Sequence, residues 1–111
     1  MARLAKVYYG SRLAGILEEK PLEENKDTGY RFTYDADYLA GGTPISFLLP
    51  LQAASFESKQ LPAFFENLVA EGWLRKLQSQ QQKIDESDRF GLLLANGRDL
   101  VGAVTLVPPE L

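Results

Sequence analysis

Leu4-Ala-Lys-Val-Tyr-Tyr-Gly-Ser-Arg-Leu-Ala-Gly-Ile-Leu17 is the stretch of sequence that decides the fold. Its two halves, Leu4–Tyr9 and Arg12–Leu17, are predicted to be strands, and Gly10-Ser11 separates them. Glycine at the first of two connecting positions suits a type II′ turn, whose twist matches that of the flanking strands. The sequence therefore predicts that the chain begins with an antiparallel hairpin.

A second strand signal lies in Tyr30-Arg-Phe-Thr-Tyr34, which alternates aromatic and polar residues. Its three rings are predicted to face the core, because an RNA-binding sheet needs basic residues around such rings. Arg31 is the one basic residue of this strand, and the alternation puts it on the opposite face. Two further strands are predicted, a buried one at Ile45–Leu49 between two prolines and a last one at Gly102–Val107.

Helical periodicity marks the second half of the chain. Apolar residues recur at i, i+3, i+4, i+7 and i+8 from Leu61 to Val69. A second helix is predicted from Leu74 to Ile84 after a break at Gly72, and a short one from Phe90 to Leu94 that stops at Gly97. Strands, then helices, then a returning strand predict an α+β fold, with helices packed on a small antiparallel sheet.

Composition narrows the classes of protein to consider. The chain has 111 residues, 45% of them apolar, which suits one domain over residues 1–111. A net charge of −3 argues against direct binding to nucleic acid. The lack of cysteine and histidine excludes disulfides, thiolate metal sites and histidine-dependent catalysis. The N-terminus lacks the apolar region of a signal peptide, and no apolar run approaches the roughly 20 residues of a membrane helix, so we expect a cytoplasmic protein.

One segment concentrates the negative charge. Glu18–Asp27 contains five acidic and two basic residues. A solvated loop is the prediction for this segment, and an acidic docking loop is the alternative.

No catalytic motif emerges from the sequence. It contains no phosphate-binding glycine loop, no dinucleotide fingerprint and no nucleophile elbow. Asp35 and Asp37 form an isolated pair, which helix capping explains better than metal binding. Arg98-Asp99 lacks the histidine of a kinase H-R-D motif and is interpreted as a helix end and turn. Glu66 and Glu71 would point about 140° apart on a helix, away from any common substrate. We predict no catalytic, cofactor or metal site, and a binding module rather than an enzyme.

Trp73 is the residue that best suits a binding role. It lies at the break between two predicted helices, in Glu71-Gly72-Trp73-Leu74-Arg75. A buried tryptophan is one interpretation. The other is a protruding interface anchor, because tryptophan is enriched among binding hot spots and Arg75 and Lys76 would add a basic rim. The sequence favours neither orientation decisively.

Six pieces of the chain, in order and spacing, identify a family resemblance. The pieces are Val7–Gly15, Tyr30–Tyr34 with Tyr38–Ala40, Ile45–Leu51, Phe64–Leu68 followed by Glu71–Arg75, Asp88–Leu92 and Gly97–Val104. Together they resemble the N-terminal subdomain of HipA-type serine/threonine kinase toxins, which precedes the catalytic core.

The resemblance implies a function. In tripartite HipBST-type toxin–antitoxin systems this subdomain is a separate small antitoxin of the HipS type. The family implies that such a chain binds and inhibits the shortened kinase HipT, while HipB carries the DNA-binding role. The alternative is the non-catalytic N-terminal subdomain of an intact HipA-type kinase. A third hypothesis, an enzyme that uses carboxylates alone, has no motif in its favour.

Overall fold

The computed structural model describes residues 3–21, 28–69, 72–97 and 103–108. These residues form five strands and four helices: β1 (Arg3–Tyr9), β2 (Arg12–Pro21), β3 (Thr28–Tyr34), α1 (Ala36–Leu39), β4 (Phe56–Ser58), α2 (Ala63–Glu66), α3 (Gly72–Gln82), α4 (Arg89–Asn96) and β5 (Val104–Val107). The strands form one antiparallel sheet in the order β4-β3-β2-β1-β5. The predicted α+β architecture, helices packed on a small antiparallel sheet, is confirmed.

The opening hairpin forms as the sequence predicts. Tyr9 pairs with Arg12, which leaves Gly10 and Ser11 as the connection. Gly10 has φ of +63° and Ser11 does not have a positive φ, as a type II′ turn requires. The Gly10 N–H donates to the carbonyl oxygen of Ala103 at 2.8 Å, so the turn is also tied to the start of β5.

The aromatic stripe of β3 organises the core. Each of its three rings contacts an aromatic ring of a different helix, because alternate residues of a strand share one face. The ring pairs, with their centroid separations, are Tyr30–Phe90 (6.2 Å, α4), Phe32–Phe65 (5.5 Å, α2) and Tyr34–Tyr38 (6.0 Å, α1). Phe32 is fully buried, which contributes roughly 1.5–3 kcal/mol of hydrophobic stabilisation. The prediction that this stripe faces the core is confirmed.

Gly97 ends α4, but for a reason that the sequence did not indicate. Its φ is −65°, so no left-handed conformation is needed there. Instead, a Cβ on Gly97 would collide with the backbone carbonyl of Leu106 in β5. Glycine therefore allows the end of α4 to approach the sheet closely.

The acidic segment does not begin as a loop. Glu18, Glu19 and Lys20 belong to β2, which pairs with β3 up to Pro21. Glu19 is only 9% exposed, and it accepts hydrogen bonds from Arg3 (2.6 Å) and from the Tyr30 hydroxyl (3.1 Å). The loop prediction is therefore wrong for these residues. It assumed that an acidic run stays in solvent, but a carboxylate can be buried in a strand where charged and polar partners satisfy it. Residues 22–27 lie outside the described residues.

The predicted strand at Ile45–Leu49 is also wrong. The Leu49 N–H donates to the Ser46 carbonyl oxygen at 2.9 Å, so the segment closes on itself as a four-residue turn. Ile45 and Leu49 are buried as predicted, but Phe47 is 90% exposed and Leu48 is 54% exposed. The apolar run between two prolines predicts a buried strand. The segment instead forms a turn, which exposes its two central side chains to solvent.

Two helices differ in extent from the periodic pattern. α2 covers only Ala63–Glu66, and the chain continues to Val69 through i to i−3 hydrogen bonds (3.0 and 3.2 Å) rather than α-helical ones. The apolar stripe still packs inward, with Leu61, Phe65 and Val69 buried. α3 ends at Gln82, so Ile84 lies beyond the helix that was predicted to contain it.

Candidate protein-binding site

Of the predicted site Glu71–Arg75, the residues from Gly72 onward lie at the start of α3. α3 begins at Gly72, while α2 has ended at Glu66, so the predicted break lies just before Gly72. Leu74 is 41% exposed and Arg75 is half-buried. Glu71 and the side chain of Trp73 lie outside what the structure describes. Because α3 begins at Gly72, the backbone of Trp73 lies in the first turn of this helix.

α3 is a surface helix whose apolar stripe is partly exposed to solvent. Leu74 and Leu77, one turn apart, are 41% and 39% exposed. From Leu74 to Gln82, the part of α3 whose side chains are described, no residue is buried. The apolar stripe of an amphipathic helix normally packs against the core of its domain. The first half of α3 therefore presents apolar side chains to solvent.

The second half of α3 is fixed to α4. The side-chain amides of Gln82 and Asn96 exchange hydrogen bonds of 2.8 and 3.1 Å. The Ile84 N–H donates to the Ser79 carbonyl at 3.1 Å across Lys83, whose φ of 57° is left-handed. This is the hydrogen bond of a Schellman motif, which ends a helix firmly. One end of α3 is thus anchored, and its position relative to the core is defined.

A second exposed apolar element was missed by sequence reasoning. Phe47 and Leu48 are the central residues of the 46–49 turn, and we call them the 47–48 tip. Both side chains are largely exposed, whereas the flanking Ile45 and Leu49 are buried. The signal that could have found this turn is the serine at position 46, since its hydroxyl accepts the Leu48 N–H at 3.1 Å.

The 47–48 tip is held by one buried hydroxyl. The Tyr34 side chain accepts the Ile45 N–H at 3.1 Å and donates to the Leu49 carbonyl oxygen, so it joins both ends of the turn. Burial raises the pKa of the Tyr34 hydroxyl, which keeps it protonated and able to donate. A side chain of β3 therefore holds both ends of the tip in place.

A polar surface cavity of about 620 Å³ lies elsewhere, beside Arg3, and we do not consider it a binding site. Most of the charged side chains in its walls are paired with one another. Arg3 pairs with Glu19 (2.6 Å) and Asp88 (2.8 Å), and Arg89 pairs with Glu66 (2.9 Å). Such internal pairs stabilise the fold and leave these charges already paired.

Two of the carboxylates considered in the sequence, Asp35 and Glu66, have structural partners. Asp35 is the N-cap of α1 and accepts the Asp37 N–H at 3.2 Å, which confirms the capping interpretation. Glu66 makes its ion pair with Arg89. Among the described residues, no group of three or more carboxylates is arranged to hold a metal ion. Arg98 and Asp99 lie outside the described residues.

None of the helices in the described ranges is sufficiently long and apolar to cross a membrane.

Comparison with known proteins places the fold. A family model for the HipA N-terminal domain matches residues 5–107. A Haemophilus influenzae protein is 37% identical over 106 residues, which make up 96% of this chain and 92% of that protein. Y4mE of Sinorhizobium fredii, named as a candidate kinase, is 27% identical over 110 residues. That match covers 97% of this chain but 25% of Y4mE.

Solved structures agree with the sequence comparison. A structure described as the N-terminal domain of HipA toxin is 33% identical and has a TM-score of 0.68, with 95% of this chain and 91% of that chain covered. A chain in the Shewanella oneidensis complex of HipA, HipB and operator DNA shares the fold, with a TM-score of 0.73 at 23% identity. There the match covers 96% of this chain and 24% of that chain. The chain therefore belongs to the family of HipA N-terminal domains, the non-catalytic subdomain of HipA-type proteins.

Proposed function

We propose that this protein is an antitoxin of the HipS type, which binds and inhibits a HipA-like serine/threonine kinase, HipT, in the cytoplasm. The observation that carries the proposal is the Haemophilus influenzae relative, of which this chain covers 92%. That protein is little more than this one domain. Where the domain is a separate protein, the surface that adjoins the kinase region in longer relatives becomes a surface for binding a second chain.

The start of α3 is the part of the surface we assign to kinase binding. The assigned residues are Glu71, Gly72, Trp73, Leu74 and Arg75. The exposed stripe of Leu74 and Leu77 supports this, since it gives the surrounding surface an apolar character. Trp73 in the first turn supplies a large rigid side chain, and Arg75 can pair with carboxylates or phosphates. Inhibition follows if the chain binds preferentially to a kinase conformation that cannot turn over.

DNA enters this proposal only through a third protein. The net charge of −3 gives the chain little electrostatic attraction to phosphate, so we assign operator contact to a DNA-binding HipB-like protein bound to the kinase. The Shewanella complex, which contains HipA, HipB and operator DNA, supports such an arrangement.

A second function is favoured by a different observation. The match to Y4mE covers nearly all of this chain and only a quarter of that longer protein. This supports the alternative that the chain is the non-catalytic N-terminal domain of an intact HipA-type kinase. A reading frame that continues past Leu111 into a kinase region would establish the alternative, and a stop codon followed by a separate kinase gene would exclude it.

Replacing Trp73 with alanine tests the assignment of the start of α3 to kinase binding. A purified HipT-type kinase is titrated with the parent, with Trp73→Ala and with Gln80→Ala, an exposed control on the same helix. If Trp73 is an interface anchor, the dissociation constant rises about thirtyfold or more, which corresponds to roughly 2 kcal/mol, and thermal melting is unchanged. If Trp73 is a core residue, the variant instead loses about 3–5 kcal/mol of stability.

The antitoxin proposal itself is tested with the unsubstituted parent protein. That protein is expected to suppress phosphotransfer by the kinase at a stoichiometric ratio. A parent chain that neither binds nor inhibits that kinase would refute the antitoxin proposal. A Trp73→Ala variant that melts and inhibits like the parent would remove Trp73 from the mechanism.

A further inference from the structure

We propose that the 47–48 tip is a second anchor for the kinase-type partner and inserts Phe47 into an apolar pocket of that chain; the inference rests on the proposed function. Phe47 is 90% exposed, more than the other large apolar residues exposed in the described ranges. Leaving an aromatic ring in water forgoes roughly 1.5–3 kcal/mol of burial energy. Such a residue at a turn centre is the kind of side chain that a partner buries.

The tip is prepared for binding before any partner arrives. Ile45 and Leu49 are buried on either side of it, and the Tyr34 hydroxyl joins their backbones. The hydrogen bond from Leu49 to Ser46 closes the turn between them. A conformation fixed in advance lowers the ordering cost of association.

Charge decides which class of partner fits the tip. From Tyr38 to Phe56 the sequence contains no acidic or basic residue. Nucleic acid and anionic membrane surfaces are recognised through lysine and arginine, so neither matches this stretch. An uncharged protein pocket does match it, since the centre of protein interfaces is depleted in charged residues.

The length of the relatives points to a kinase-type chain as the partner of the tip. In Y4mE and in the matched chain of the Shewanella complex, this domain accounts for about a quarter of the molecule. The other three quarters provide a surface for the domain to adjoin, and a kinase chain without this domain lacks its cover. Phe47 and Leu48 alone supply far less than the roughly 800 Å² per partner of a stable interface, whichever chain they contact. The tip therefore acts as one anchor within a larger contact. A second copy is the competing occupant, and the oligomeric state of the parent tests it.

The experiment compares binding and inhibition for one substitution. The parent, Phe47→Ala and Thr43→Ala are titrated calorimetrically into the purified HipT-type kinase, and phosphotransfer is assayed on the same samples. Thr43 is exposed near the same turn and serves as the matched control. We expect Phe47→Ala to raise the dissociation constant about thirtyfold or more, Thr43→Ala to change it less than twofold, and both variants to melt like the parent.

The outcomes separate the two proposals. If the parent binds and inhibits, and Phe47→Ala binds equally well, the anchor is refuted and the antitoxin function stands. If the parent binds without inhibiting, and Phe47→Ala loses binding, the anchor stands and the antitoxin function fails. A parent that does not bind the kinase refutes both. A parent that is a dimer in solution, and that Phe47→Ala converts to a monomer, assigns the tip to self-association and refutes the anchor.

Discussion

Arg3 holds Asp88 with two parallel hydrogen bonds, of 3.0 and 2.8 Å, although 85 positions separate the two residues in the chain. Asp88 is at the same time the N-cap of α4, where it accepts the Gly91 N–H at 3.1 Å. The same guanidinium donates to Glu19 at 2.6 Å. One arginine in β1 therefore fixes the neighbouring strand and the start of the last helix. The hydrogen bonds from Arg3 hold the pKa of Asp88 below its ordinary value.

Substitutions at Asp88 separate its two roles. Asp88→Ala removes both the cap and the ion pair, so we expect it to lower the free energy of unfolding by about 1–2 kcal/mol at pH 7. Asp88→Asn keeps an oxygen acceptor for the Gly91 N–H and loses the charge, so its loss should be about half as large. Urea denaturation of the parent and both variants measures these differences. Equal losses in the two variants would contradict the capping contribution.

The pH dependence of the Asp88 pair has a defined sign. The pKa of Asp88 is lower in the folded state than its ordinary value of 3.8. Its ionised form therefore stabilises the fold above pH 3.8, and this stabilisation is lost as the pH falls through the lower, folded-state pKa. We expect the stability difference between the parent and Asp88→Asn to be full at pH 6 and to shrink below pH 3.8. A difference that stays constant down to pH 2 would show that the charge of Asp88 plays no part.

Local patterns predicted the elements whose partners lie nearby in the chain. The β1–β2 hairpin follows from one glycine at a turn, and the core face of β3 follows from simple alternation. Both signals act over a few residues, so a single sequence contains them. Glu19 shows where this fails, because its burial depends on Arg3 and Tyr30, which are 16 and 11 positions away. No local pattern reveals that a glutamate in an acidic run will meet an arginine.

Lys83 offers a prediction about helix termination. It occupies the left-handed position of the Schellman motif after α3, with φ of 57°, where glycine is usual. A side chain with a Cβ is strained there by roughly 1–2 kcal/mol. Lys83 is exposed, so its side chain is dispensable. We expect Lys83→Gly to stabilise the protein by about 0.5–1 kcal/mol, after the entropy that glycine costs in the unfolded state. Gln80→Gly in the exposed helix interior is the matched control, and it should destabilise by about 1 kcal/mol. The melting temperatures of both variants test these expectations. A melting temperature lowered by Lys83→Gly would contradict the proposal that Lys83 is strained.

The candidate site was predictable only in part. The residues Glu71–Arg75 were selected because a tryptophan follows a glycine at a helix break, and α3, which begins at Gly72, contains the last four of them. The 47–48 tip was not selected, because an apolar run with a proline at each end has the same composition whether it is a buried strand or a turn. The difference lies in Tyr34, whose hydroxyl meets Ile45 and Leu49 from β3. Tertiary hydrogen bonds of this kind cannot be inferred from hydrophobic periodicity.

Removing the Tyr34 hydroxyl tests whether it builds the tip. Tyr34→Phe leaves the buried Ile45 N–H and the Leu49 carbonyl without their shared partner, and unmet buried groups cost about 1–3 kcal/mol. We expect a loss of roughly 2 kcal/mol and a melting temperature lower by about 10 °C. Tyr8→Phe removes the same group on the opposite face of the sheet and should change the stability by less than about 0.5 kcal/mol. Amide hydrogen exchange locates the effect, since protection at Leu49 should fall in Tyr34→Phe while protection in β1 and β2 falls only with global stability. A Tyr34→Phe variant that melts like the parent and keeps protection at Leu49 would show that the turn forms without its clamp.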